Sequence, residues 1–157
     1  DIEDFPVSTV QGHKGQFVFG YVKDVPVVLM QGRVHYYEGY SMQDVVLPTR
    51  LMGMMGAKKI LLTNAAGGVN PSFRPGDFML ITDHITTAVP SPLIGPNIEE
   101  LGTRFPDMSE VYSKNLQKII RKSVRHFATS SFHSSFFLFH ILIRGNGRKN
   151  LQDMFLV

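Results

Sequence analysis

An arginine and a histidine follow the apolar run 25–30, two residues apart. If the strand continued to them, Arg33 and His35 would project from the same face at its end. A guanidinium beside an imidazole suits an oxyanion, above all phosphate, because arginine stays charged and donates two parallel hydrogen bonds. Gly32, directly before them, permits an unusual backbone angle or the close approach of a ligand. The alternative is a surface Arg33 paired with Glu38 and a His35 whose ring bonds the backbone.

A second candidate is the small-residue run "TNAAGG", residues 63–68. A buried strand that ends here would leave backbone N–H groups uncovered by side chains, where they can face a ligand. Ligands usually lie at strand ends in α/β sheets. The alternative is an ordinary tight turn from strand to loop.

Three further stretches carry single residues of interest. His13 lies between two glycines in "QGHKG" and could equally be a solvated loop residue. Asp83 and His84 are adjacent in a predicted strand, so they would point to opposite faces and would not form a direct pair. Phe105 lies in the proline-marked loop "RFPDMS", where it could cover part of the core or enter a neighbouring subunit's pocket.

The elements that would position these groups alternate between strands and helices, which argues for an α/β domain. They are a hairpin over 16–30 turning at Lys23–Asp24, a helix over 41–57, a strand running into "TNAAGG", a strand within 76–85 and an amphipathic helix over 109–124. In the first helix Ser41 is the expected N-cap with Asp44 as its partner, and Gly56 is the expected stop. Pro48 predicts a kink or a late start.

Composition places the chain among globular proteins of about one domain. It has 157 residues, 43% of them hydrophobic and 18% charged, and no cysteine. The lack of cysteine excludes disulfides, zinc–thiolate sites and thiol nucleophiles. No apolar run reaches the roughly 20 residues of a membrane span, so neither a membrane span nor a signal peptide is expected. Because the chain starts at Asp1 without methionine, we expect a processed protein or a fragment.

The last quarter of the chain differs in charge and composition. Residues 1–113 carry 8 Lys/Arg against 12 Asp/Glu, whereas residues 114–157 carry 8 against the single Asp153. His126, His133 and His140 fall seven apart, but without acidic or cysteine co-ligands a metal site is not favoured. A loosely patterned or strand-like apolar segment is the preferred interpretation. Nucleic-acid binding through this basic tail has no recognisable module to support it.

Taken together, several stretches indicate a family. In order they are "STVQGHKGQFVFG", "MQGRVHYYEGY", "LLTNAAGGVNPSFRPGD", "MLITDHI", "GPN" and "RFPDMSEVY". Over roughly residues 5–113 the chain resembles the trimeric, low-molecular-mass purine nucleoside phosphorylases. The resemblance implies an α/β fold of the phosphorylase/hydrolase type, with a mixed β-sheet flanked by helices. It also implies a cytoplasmic homotrimer that cleaves purine (2′-deoxy)ribonucleosides with inorganic phosphate, giving free base and (deoxy)ribose 1-phosphate for purine salvage.

The resemblance also implies roles for individual residues. Phosphate would be held by Arg33, His35 and the backbone N–H of Ala65, with His13 at the mouth of the site. Tyr37 would bind the ribose. Two further residues would belong to the purine and subunit-interface pocket, namely Asn64 and Phe105. No metal and no organic cofactor are expected, because phosphate is the co-substrate. Neither nucleic acid nor a membrane is an expected partner.

The similarity fades after Lys122, which predicts two parts. Residues 1–122 would be a partial nucleoside phosphorylase domain, and residues 123–157 a divergent basic tail rich in Phe, Ser and His. On this interpretation the fold is truncated at both ends, the purine-reading residues are absent and no complete catalytic set remains. The alternative function is therefore a catalytically inactive fragment that acts as an anion-binding or trimer-interaction module.

Overall fold

The computed structural model describes residues 5–64, 69–74, 77–127 and 137–143, with side chains described as far as Val124. Its strands and helices are, in chain order, β1 (Gln16–Val22), β2 (Val25–Gln31), a short 3-10 turn (Tyr36–Glu38), α1 (Met42–Met54), β3 (Lys59–Asn64), β4 (Phe78–Leu80), α2 (Lys114–Phe127) and β5 (Phe137–Ile143). No helix in this described part is long and apolar enough to cross a membrane.

The predicted hairpin is confirmed. Strands β1 and β2 pair antiparallel from Gln16 opposite Gln31 to Val22 opposite Val25. Lys23 has a positive φ of 54°, as tight hairpin turns require. Strand β2 ends at Gln31, so the condition under which Arg33 and His35 would share a strand face is not met.

Helix α1 begins where its capping residues predict. The Ser41 side chain accepts from the Asp44 backbone N–H, and Asp44 in turn accepts from the Ser41 backbone. The helix ends at Met54, and Gly56 follows with a φ of 104°, the left-handed conformation common after a helix C-terminus. Pro48 lies buried inside the helix, so the predicted late start is wrong.

A second sheet has three strands in the order β3-β5-β4. Strand β5 pairs antiparallel with β3 and parallel with β4, so the sheet is mixed, as predicted. The strand-like interpretation of the tail is confirmed for residues 137–143. The strand predicted within 76–85 is shorter than expected, since β4 covers only Phe78–Leu80.

The core lies between α1, β3 and the long loop that precedes α2. Val46, Leu101 and Tyr112 are its buried members. Partly buried side chains pack around them, namely Met42, Ile60, Ile81 and Val111. The predicted apolar face of α2 is only partly covered, because Ile119 is 51% exposed. Helix α1 thus packs on the loop before α2 and on Ile60 of β3, and it anchors the C-terminal end of the segment that follows β2.

Candidate functional site

Gly32 turns the chain as it leaves β2. Its φ is +82°, and a Cβ at this position would lie 2.6 Å from both Cα and Cβ of His13. The loop that carries His13 therefore packs directly on the backbone of Gly32. A hydrogen bond of 3.0 Å from the Gly15 N–H to the Gln31 carbonyl holds the same loop to the end of β2. Only glycine satisfies both the backbone angle and the close approach.

His13 is held by this packing and by its ring nitrogen. Nδ1 lies 2.9 Å from the carbonyl oxygen of Arg33 and 3.3 Å from the hydroxyl of Ser8. The backbone N–H of Arg33 is a third neighbour of the same nitrogen, at 3.3 Å. The alternative of a merely solvated loop histidine is wrong. His13 is half-buried, and its ring bonds Ser8 in the N-terminal loop and Arg33 after β2.

His35 is bonded twice to one carboxylate oxygen. Its backbone N–H and its Nδ1 both lie 2.7 Å from Oε1 of Glu38. The His35 side chain is 18% exposed and that of Glu38 only 2%. The alternative pairing of Arg33 with Glu38 is therefore wrong, because the carboxylate pairs with the histidine instead.

The second oxygen of Glu38 binds the N-terminal loop. Oε2 accepts from the backbone N–H of Thr9 at 2.6 Å and from its hydroxyl at 2.9 Å. The Ser8 hydroxyl lies 3.1 Å from the same oxygen. Burial by itself raises the pKa of Glu38, but the hydrogen bonds from His35 and Thr9 outweigh it and lower that pKa from 4.5 to about 2. Glu38 is thus an anion at neutral pH.

Arg33 links the end of β2 to the end of β3. Its Nη1 donates to the carbonyl of Thr63 at 3.3 Å, and its guanidinium is half-buried. Burial lowers the pKa of Arg33, with a smaller opposing effect of Tyr37, yet a guanidinium remains protonated at neutral pH. Among the residues that the structure describes, no carboxylate forms an ion pair with it. Its charge is therefore available to an anionic ligand.

The His35 ring lies between two other aromatic rings, those of His13 and Tyr37. The ring centroids of His13 and His35 are 5.0 Å apart, and those of His35 and Tyr37 are 4.7 Å apart with a stacked interplanar angle of 21°. Tyr37 itself is 75% exposed. The cluster thus combines one fixed cation, two imidazoles and a solvent-facing phenol, a set suited to a phosphorylated or phosphate-plus-sugar ligand.

Three further predicted site residues are not among the contacts described above, namely Ala65, Asn64 and Phe105. Ala65 lies outside the described residues, so its proposed N–H contact stays a prediction. Asn64 is half-buried as the last residue of β3, next to Thr63, whose carbonyl bonds Arg33. Phe105 lies on the loop before α2 and is 84% exposed, which excludes the alternative that it covers this chain's own core.

Asp83 and His84 do not belong to a strand. Asp83 accepts from the backbone N–H of His84, while the His84 ring hydrogen-bonds the Tyr112 hydroxyl and stacks on its ring at 5.4 Å. Burial, with a contribution from Asp83, raises the pKa of Tyr112 to about 12. The pair formed by His84 and Tyr112 therefore belongs to the core rather than to the cluster around Arg33.

No group of three His, Cys, Asp or Glu side chains within the described part of the chain could hold a metal ion. The histidine spacing noted in the tail involves His133, which lies outside the described residues, as do the side chains of His126 and His140. The metal interpretation of that spacing is accordingly neither supported nor tested.

Sequence reasoning missed the residues that support the cluster. Ser8 binds Glu38 across 30 positions and Thr9 binds it across 29, and Thr63 binds Arg33 across 30. A Ser-Thr pair before a loop has no pattern that would single it out. The buried Glu38 did have a local signal, since it lies three residues after His35 in a turn.

Comparison with known proteins identifies the family. The sequence model of the phosphorylase superfamily matches residues 1–134, and the chain belongs to this superfamily. It is 57% identical over 121 residues to purine nucleoside phosphorylase 1 of Geobacillus stearothermophilus, covering 77% of this chain and 44% of that protein. The chain thus spans less than half the length of this relative.

Solved structures agree with the fold. A Schistosoma mansoni purine nucleoside phosphorylase in complex with inosine superposes with a TM-score of 0.62 at 38% identity, covering 78% of this chain and 44% of that one. Isoform 2 from the same organism, in complex with cytosine and ribose-1-phosphate, gives a TM-score of 0.62 at 38% identity, over 79% of this chain and 45% of that one. The predicted phosphorylase-type α/β fold is confirmed.

Proposed function

We propose that this chain contributes the phosphate side of a purine nucleoside phosphorylase. An oxygen of inorganic phosphate bonds to C1′ of the nucleoside while the C1′–N bond breaks. The bonding electrons leave with the base, which takes up a proton, and the sugar leaves as ribose 1-phosphate or its 2′-deoxy analogue. Phosphate is a co-substrate here and no cofactor takes part.

One observation carries the proposal: Arg33, His13 and His35 gather where β2 leads towards the end of β3. The charge of Arg33 is not neutralised by a carboxylate in the described residues, and its Nη1 is oriented by Thr63. The two imidazoles lie 5.0 Å apart between centroids. A fixed cation with adjacent ring nitrogens favours an oxyanion with several acceptor oxygens, which phosphate provides.

Such a site contributes to the reaction by electrostatics and by position. Cleavage of an N-glycosidic bond develops oxocarbenium-like positive charge on the sugar, as in other glycoside chemistry. An anionic phosphate held against the ring stabilises that charge, and a preorganised cradle avoids reorganisation as the reaction proceeds. Ala65 would add a backbone N–H to the cradle.

The nucleoside would occupy the exposed side of the ring cluster. Tyr37, stacked on His35 and 75% exposed, would hydrogen-bond the ribose. Asn64 at the end of β3 and Phe105 would belong to the purine and subunit-interface pocket. Since the Phe105 side chain is 84% exposed on its own chain, it is suited to enter a neighbouring subunit, as a cytoplasmic homotrimer would allow.

The decisive experiment measures hypoxanthine release from inosine by the purified chain, with and without phosphate. Arg33→Ala should abolish any phosphate-dependent release. Arg104→Ala is the matched control, because that guanidinium binds the Leu93 and Gly95 carbonyls instead. Release that is independent of phosphate, or equal in both variants, would contradict the proposal.

A parallel titration with inorganic phosphate separates binding from catalysis. Removing a charge-assisted contact costs about 1.5–3 kcal/mol, or roughly 10- to 150-fold in affinity, so Arg33→Ala should weaken phosphate binding by about this factor. Phosphate binding of this kind without base release would favour the alternative, an anion-binding or trimer-interaction module. The alternative is considered because the chain covers only 44% of the Geobacillus relative.

A further inference from the structure

We infer that Ser8 is a positioning residue that sets which ring nitrogen of His13 carries the proton. Held by the Glu38 carboxylate, its hydroxyl accepts from Nδ1–H of His13 and leaves Nε2 as the nitrogen available to a ligand. The predicted effect on phosphate binding rests on the proposed function. The assignment of the His13 tautomer does not.

The geometry places Ser8 between two members of the cluster. Its Oγ lies 3.2 and 3.1 Å from the two carboxylate oxygens of Glu38 and 3.3 Å from Nδ1 of His13. It also accepts from the backbone N–H of Val10 at 3.2 Å. In the described part of the chain, no other side chain hydrogen-bonds both the carboxylate and this imidazole.

Proton counting then assigns the direction of each bond. A serine hydroxyl has one proton and two acceptor lone pairs. Glu38 is ionised, since its pKa is about 2, so it can only accept and takes the Ser8 proton. The remaining Ser8 contacts must be ones in which its oxygen accepts. The contact with His13 therefore requires a proton on Nδ1.

The backbone of Arg33 supports the same assignment. Its carbonyl oxygen is the nearest polar neighbour of His13 Nδ1, at 2.9 Å, and a carbonyl can only accept. The Arg33 N–H would favour an unprotonated Nδ1, but it lies farther away, at 3.3 Å. Two acceptors, including the shortest contact, thus outweigh one longer donor.

The same carboxylate acts directly on the second histidine. Oε1 of Glu38 lies 2.7 Å from Nδ1 of His35, which therefore also carries a proton. Glu38 sets His35 by contact and His13 through Ser8, so both neutral imidazoles keep Nε2 as the free acceptor. Each Nε2 can then accept a proton from a protonated phosphate oxygen, or donate one after the ring itself is protonated.

Nitrogen-15 NMR of the full chain without phosphate tests the tautomer directly. Two-bond ¹H–¹⁵N correlations distinguish a protonated ring nitrogen from an unprotonated one. At a pH where the ring is neutral, His13 should show a protonated Nδ1 and an unprotonated Nε2. A predominant Nε2–H form in the unaltered chain would overturn the inference.

Substitutions separate Ser8 from its surroundings. Loss of one neutral hydrogen bond changes an equilibrium by about fivefold, so Ser8→Ala should shift the His13 tautomer ratio about fivefold towards Nε2–H. Ser8→Thr keeps the hydroxyl and should restore the original ratio. Thr9→Val is the matched control, because the Thr9 hydroxyl binds Glu38 at 2.9 Å and contributes no bond to His13. An unchanged ratio in Ser8→Ala would overturn the role of Ser8.

Titration of the same samples with inorganic phosphate keeps the two proposals apart. Ser8→Ala should weaken phosphate binding about fivefold. Ser123→Ala removes a hydroxyl that bonds only the Ile119 carbonyl within α2 among the described contacts, and it should leave phosphate binding unchanged. If the tautomer follows the prediction but phosphate does not bind the unaltered chain, the proposed function fails while the role of Ser8 stands. If phosphate binds but the His13 tautomer does not respond to Ser8→Ala, the role of Ser8 fails while the proposed phosphate site stands.

Discussion

Glu38 joins two segments that are far apart in sequence. Six hydrogen-bond contacts reach its carboxylate, from Ser8, Thr9 and His35. Its side chain is only 2% exposed, and a buried carboxylate is tolerated only when donors replace its water. Two of these donors also fix the histidine rings, since Ser8 contacts His13 and the other is His35 itself. The stability of the turn and the geometry of the site therefore depend on one charge.

This dependence predicts an acid-sensitive contribution to stability. Because hydrogen bonds lower the folded-state pKa of Glu38 from 4.5 to about 2, its contribution is complete above the unfolded pKa and declines as pH falls through the folded one. The unaltered chain should therefore exceed Glu38→Gln in unfolding free energy at neutral pH. Urea denaturation at a series of pH values should show the difference shrinking between about 4.5 and about 2.

Glu100→Gln provides the control for this series, since Glu100 is an exposed residue of the loop before α2. That substitution should give no comparable pH-dependent difference. A gap between the unaltered chain and Glu38→Gln that stays constant across the acid range would show that the carboxylate is not held as the hydrogen bonds indicate.

At the scale of elements, the site depends on how β2 ends. The strand stops at Gln31, and Gly32 then turns the chain so that Arg33 and His35 lie in an irregular segment rather than on a strand face. The capping box of Ser41 and Asp44 starts α1 soon afterwards. The segment between them contains only one short 3-10 turn, Tyr36–Glu38, and it is restricted because a hairpin precedes it and a helix follows it.

Gly32→Ala tests this arrangement. The new Cβ would lie 2.6 Å from the His13 backbone at a φ of +82°, and a residue forced into such a conformation costs about 1–3 kcal/mol. We expect a loss of that size in urea unfolding, together with weaker phosphate binding. Gly20→Ala on β1 has nothing within 4 Å of the added Cβ, and it should change stability by less than about 0.5 kcal/mol.

Equal effects of the two glycine substitutions would contradict the close packing of the His13 loop on Gly32. If only Gly32→Ala lowers stability and phosphate affinity does not change, the packing of the His13 loop on Gly32 stabilises the fold without shaping the phosphate site.

Strand β5 is the other element with a wide effect. It lies between β3 and β4, with Phe139 opposite both Thr63 and Leu80. Because an unpaired strand leaves its N–H and C=O groups without partners, β5 supplies the backbone bonds that connect β3 to β4. The end of β3 that meets Arg33 is therefore supported by a segment that the sequence assigns to a divergent tail.

The boundary predicted at residue 122 stays a prediction, and α2 runs through it to Phe127.

At the scale of the whole molecule, large apolar side chains remain on the surface. Phe105 is 84% exposed and Phe19 on β1 is 66% exposed. Contiguous exposed apolar surface marks interaction sites, whereas single exposed apolar side chains are common. For Phe105, the proposed surface is the pocket of a neighbouring subunit.

Phe105→Ala should weaken inosine binding roughly tenfold or more, since burying a phenylalanine side chain contributes about 1.5–3 kcal/mol. The unfolding midpoint and the phosphate affinity should not change, because the ring contributes little to its own chain. Calorimetric titration with each ligand, together with light scattering for the assembly state, measures all three quantities. Phe19→Ala removes a ring of similar exposure and should leave inosine affinity intact. A drop in stability with unchanged inosine affinity would contradict the role proposed for Phe105.

Much of the local structure could be predicted from the sequence. The hairpin turn at Lys23–Asp24, the Ser41 cap and the stop at Gly56 follow from short-range signals of backbone angle and capping, which act over a few residues. The family resemblance and the phosphorylase-type fold were also evident from contiguous motifs. Each of these depends on neighbours along the chain.

The tertiary structure decided the rest. The bonds of Ser8 to Glu38 and the contact of Arg33 with Thr63 each join residues that are 30 positions apart. The insertion of β5 between β3 and β4 is equally non-local. The sequence by itself determined which groups could bind an anion and where the hairpin and helix α1 lie. The burial of Glu38 under donors from Ser8 and Thr9 depends on the packing of distant segments, because burial and hydrogen-bond satisfaction are properties of the folded chain as a whole.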